Sequence, residues 1–129
     1  MSGPNGVVQA VAFEQLETAV TLATVYQDVP EDTPPPVVIL GDISAEPFTN
    51  DPNDPDRRVT LTVTTIVAGD EVGPCTDIQD QVETLGGYRV TTDGWELLFR
   101  SLGSDATLVG DASGYVGTTT FEIIAFKQD

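Results

Sequence analysis

The stretch RRVTLTVTTIVAG, from Arg57 to Gly69, constrains the fold more than any other part of the chain. In an extended backbone, Val59, Leu61, Val63 and Val67 point to one side and Thr60, Thr62 and Thr64 to the other. A strand with this alternation needs neighbours on both edges and an apolar layer against one face only. The chain must therefore build a sheet with a covered side and a side that tolerates water.

The remaining elements are read around that strand. Val8, Ala12, Leu16, Ala19, Val20 and Ala23 recur at helical spacing, which predicts an amphipathic helix from residue 7 to about 24, with Asn5 as its cap and Pro4 behind it. Pro30 and Pro34 to Pro36 forbid helix and hold the residues before them extended, so the chain reaches Val37 already straight. Val37 to Leu40, apolar on both faces, then reads as an interior strand. Residues 45–58, AEPFTNDPNDPDRR, form a long acidic loop. Thr76 and Gln79 make a capping-box pattern, and Ile78, Val82 and Leu85 follow at helical spacing, so a second helix is expected over 76–86, ended by Gly86 and Gly87. Trp95, Leu97 and Phe99 share one face of a strand over 95–102. The stretch GDASGYVG reads as a turn, and a last strand is expected over 118–128. The expectation is one α+β domain over 1–129, with a mainly antiparallel four-stranded sheet, two helices on one face and the order αββαββ.

Charge narrows the function. The chain has 129 residues, a formal net charge of -16, 21 acidic residues, 5 basic ones and no histidine. Arg57, Arg58, Arg89, Arg100 and Lys127 are too few and too scattered to grip a phosphate backbone or an anionic membrane. No apolar run reaches bilayer length, and the N-terminus lacks the basic start of a secretory signal, so a soluble chain is expected. The acidity also fits a host living at high salt.

No motif carries recognisable catalysis. NDPNDPD lacks the central glycine and distal glutamate of a calcium loop, and reads as a solvated turn with no metal. The glycines near 110–117 lack the lysine of a phosphate cradle. Cys75 has no histidine to activate it and reads as a structural thiol. The carboxylate pairs Asp77 with Asp80 and Glu14 with Glu17 fall on faces expected to be exposed, away from apolar pocket residues. Neither an enzyme nor a cofactor is expected. Arg57 and Arg58 guard an edge strand or pair with an acidic neighbour in an oligomer. Trp95 is a core residue or an interface anchor.

Together, Val25, Tyr26, Val29 and Pro30, then Pro36, Val37 to Leu40 and Gly41, then the alternating strand at 57–69, resemble the tail completion or tail terminator proteins of long-tailed phages. The second helix and the two C-terminal strands follow in that family's order. The stretch DEVGPCTDIQDQVETLGG is shorter and more acidic than its counterpart there, and a basic residue common near the end of the preceding strand is absent. The resemblance implies a structural virion protein made in the host cytoplasm. It would form a homo-oligomeric ring, commonly a hexamer, on the head-proximal end of the tail tube. It would meet the tube protein on one side and the head–tail connector on the other, and let DNA pass through its bore. Phe48, Arg57, Arg58 and Trp95 are the candidate subunit or tube contacts. The rival expectation is a small acidic DNA mimic that inhibits a basic DNA-binding partner.

Overall fold

The computed structural model describes residues 3–28, 33–111 and 113–128. Helix α1 spans Pro4–Ala19, followed by strands β1 (Thr24–Tyr26), β2 (Val37–Pro47) and β3 (Arg57–Ala68). Helix α2 (Gly73–Glu83) leads to strands β4 (Arg89–Thr92), β5 (Trp95–Leu108) and β6 (Gly114–Lys127). All six strands form one sheet in the order β1-β2-β3-β6-β5-β4. Among the described residues, only β1 and β2 pair in parallel; every other pairing is antiparallel.

This corrects the four-stranded, mainly antiparallel sheet and the αββαββ order expected from the sequence: the sheet is six-stranded and mixed, and the order is αβββαβββ. Both missed strands are short edge strands. The apolar spacing that seemed to carry the first helix on to residue 24 breaks at Val20, which takes φ -88° and ψ 112°. The chain then turns into β1. Gln81 of α2 holds this break: its Oε1 accepts the N–H groups of Thr21 (3.0 Å) and Leu22 (3.2 Å), and its Nε2 donates to Thr21 Oγ1 (2.8 Å).

The helix starts also differ from expectation. In α1, Pro4 stands inside the first turn, where its missing N–H costs nothing, and Gly3 is the cap residue. Asn5 is helical, and its buried Oδ1 has no hydrogen-bond partner among the described residues. In α2, Pro74 plays the part of Pro4, and no side chain caps the start. Thr76 Oγ1 donates to Gly73 O (3.0 Å), while Gln79 Nε2 reaches out of the helix to Asp105 O (2.6 Å). The capping box is therefore not formed.

The alternation of β3 holds as read. Val59, Leu61, Val63 and Val67 are buried on the helix side, and Thr65 is buried with them. Phe121, Ile123 and Ala125 of β6 and Trp95, Leu97 and Phe99 of β5 join the same layer. Helix α1 covers it with Val8, Ala12 and Leu16, and α2 with Cys75, Ile78 and Val82. Each large side chain buried here contributes about 2 kcal/mol of transfer free energy. Helix α2 sits close because Gly117 has no side chain: a Cβ there would stand 2.9 Å from Cys75 Sγ and 2.8 Å from Gln79 Cδ. Gly117 and Gly114 therefore belong to β6, not to a turn. The opposite face of the sheet, carrying Arg58, Thr60, Thr62 and Thr64 of β3 beside Ile124, Glu122, Thr120 and Thr118 of β6, bears no helix among the described residues.

Candidate interface

The long acidic loop is shorter than the sequence suggests. Ala45, Glu46 and Pro47 pair with Val59, Arg58 and Arg57, so β2 and β3 continue to its base and only residues 48–56 turn. The loop is tied by its own side chains. Thr49 Oγ1 donates to Asp54 Oδ2 (2.7 Å), Asp51 Oδ1 accepts the Asn53 N–H (2.9 Å), and Asp54 Oδ1 accepts the Asp56 N–H (2.9 Å). The Asp56 N–H and the Thr49 hydroxyl hold the Asp54 carboxyl below its ordinary 3.8. Arg57 folds back so that its Nη1 donates to the carbonyls of Asp54 and Asp56, both at 2.8 Å.

Phe48, Arg57, Arg58 and Trp95 all gather at the end of the sheet where β3 and β5 begin and β6 ends. Their roles there are unequal. Phe48 is half-buried, edge-on to Phe126 with ring centroids 5.9 Å apart, and the Arg58 guanidinium lies 5.7 Å from the centre of its ring. Arg58 bonds Glu46 across the ladder at 3.2 Å, and its Nε stands 3.6 Å from Glu122, within ion-pair range but too far for a hydrogen bond. Asp56 Oδ1 accepts the Lys127 N–H at 2.9 Å, fastening the loop to the C-terminal strand. Trp95 is only 5% exposed, with Lys127 Nζ 4.9 Å from its ring centre. It packs in this chain's own core, the first of the two readings its sequence position allows. Sequence reasoning missed Phe126 and Glu122; only the β3–β6 register, invisible in the sequence, brings them to Phe48 and Arg58.

A second feature lies at the opposite end. An apolar hollow of about 330 Å³ opens between the proline segment and the start of α2, walled by Leu22, Pro35, Pro36, Val67, Pro74 and Ile78, with Asp77 as its charged group. Cys75 is buried beside Gly117, and burial pushes its thiol pKa up, which leaves it a poor nucleophile at neutral pH. Among the described residues, no three histidine, cysteine or acidic side chains group as a metal site. No helix among them is long and apolar enough to cross a membrane.

No family model matches the chain, and no curated protein matches it. Among solved structures, the fold is similar to that of a chain from the virion of a native gene transfer agent particle, with a TM-score of 0.76 and 18% identity. The match covers 96% of this chain and 98% of that one, so the whole architecture is shared. Val29 and Pro30, which carry part of the phage-family resemblance, lie outside the described residues.

Proposed function

We propose that the chain is a structural protein of a phage-like virion, acting as a tail terminator: a ring on the head-proximal end of the tail tube. The observation that carries this reading is the end-to-end likeness to a chain of a virion particle. The charge distribution supports it. Neither helix contains a lysine or arginine, so the helix layer presents carboxylates alone, and no array of cations is available to hold passing phosphates. A closed ring needs two different patches, one to meet the other on the next copy. A chain with an open sheet face and a separate apolar hollow offers two such patches. In this reading the protein is not an enzyme; it meets the tube protein and the connector, and DNA passes its wall without capture.

Negative-stain electron microscopy of the purified chain, alone and with the tube protein of the same virion, tests the proposal. Rings, and rings capping tube ends, are the expected result. A chain that never caps a tube, and instead captures basic DNA-binding enzymes in a salt-sensitive way, would establish the DNA-mimic reading in its place.

A further inference from the structure

The uncovered sheet face is not electrically like the rest of the molecule. Strand alternation and the ladder register place Arg58, Arg89 and Arg100 on it, with Glu46, Glu96, Glu122 and Asp105. Three arginines nearly balance these four carboxylates, so most of the formal -16 of the chain is borne by the remainder of its residues. Two copies approaching through any other surfaces bring like charges together.

Within this face the three arginines differ. Arg58 pairs with Glu46, and Arg89 bonds Glu96 through Nη2 at 2.8 Å. Arg100 is exposed and makes no ion pair among the described residues, although its ladder partner is Glu122. Two exposed leucines flank it: Leu98, 39% exposed, on the same face, and Leu102, 49% exposed, at the bulge where β5 shifts register against β6. A free guanidinium between two bare apolar side chains calls for an apolar recess with a carboxylate at its edge.

The chain contains one. The hollow between the proline segment and α2 has walls of Leu22, Pro35, Pro36, Pro74 and Ile78, and Asp77 supplies the carboxylate. Asp77 is exposed, and no lysine or arginine lies on its helix to neutralise it. We propose that Leu98, Arg100 and Leu102 of one copy seat in this hollow on the next copy, with Arg100 paired to the neighbour's Asp77. The contact is heterologous: the two patches are different surfaces of the same chain, so each copy uses one of each and the assembly grows front to back. The inference rests on the ring reading above and names the surface that builds it.

A charge swap tests the pairing. Arg100→Asp and Asp77→Arg are made singly and together in the full chain, and association is followed by sedimentation velocity over a concentration series. Circular dichroism checks that each variant is folded, since both positions are exposed. Each single change weakens association about tenfold or more, a loss of about 1.4 kcal/mol, and the double change restores it to within a few fold. Single variants that assemble like the wild type overturn the inference while leaving the ring intact. Single variants that fail and are not rescued by the swap overturn the pairing. A wild-type chain that remains monomeric also overturns it, and tube capping by microscopy then decides the ring reading separately.

Discussion

Thr65 is the residue whose chemistry fits its place least well. Its neighbours in the alternation are Val63 and Val67, it is fully buried, and its hydroxyl has no hydrogen-bond partner among the described residues. Replacing the hydroxyl by a methyl of similar shape removes an unsatisfied buried group. Thr65→Val is therefore expected to raise unfolding stability by about 1 kcal/mol in urea denaturation. Asp54 is the opposite case, a carboxylate whose neighbours favour its charge. Its pKa is held below 3.8, chiefly by the Asp56 N–H and then by the Thr49 hydroxyl. A depressed pKa stabilises the native loop at pH values above the unfolded value, and that contribution disappears as the pH falls through the folded midpoint. Carboxyl-carbon NMR titration should place the Asp54 midpoint below 3.8, and Thr49→Val should move it upward.

At the scale of elements, legibility followed burial. Strand β3 could be read because one whole face is buried and the other is threonine, so its period of two is written in full. Strand β5 could be read only through its first half, where Trp95, Leu97 and Phe99 are buried; beyond the register shift its residues are mostly exposed and carry no pattern. The start of β6 looked like a turn because Gly114 and Gly117 are there for close approach, the first to the Val67 carbonyl and the second to α2. The three residues of β1 hid inside a helical spacing. At the candidate interface, the arginines were visible and the aromatic and acidic partners from β6 were not, since register is a property of the folded sheet. Gln79 shows what such a hidden contact does. It is 4% exposed, lies over Gly117 and donates to Asp105 O, tying α2 to the outer half of β5. Gln79→Ala should cost about 2 kcal/mol by equilibrium unfolding, through the lost bond and the space left behind.

For the whole molecule, the excess of acid dominates. The ion pairs of Arg58 and Arg89 are largely exposed and of small worth. Self-repulsion of a chain carrying -16 is left mostly unbalanced. Raising monovalent salt from about 0.1 M to about 1 M shortens the screening length from about 10 Å to about 3 Å. The melting temperature should rise by several degrees over that range, measured by differential scanning calorimetry.

The central seam of the sheet joins β3 to β6, and the paired residues Leu61 and Phe121 stand nearly half the chain apart. During synthesis, at roughly 5–20 residues per second, β3 leaves the ribosome well before its partner exists. Its inner edge stays unsatisfied for that interval, and non-local pairing of this kind is slow to form even afterwards. The negative charge spread over the nascent chain keeps such half-built copies from meeting one another, so the acidity guards the protein before the sheet has closed.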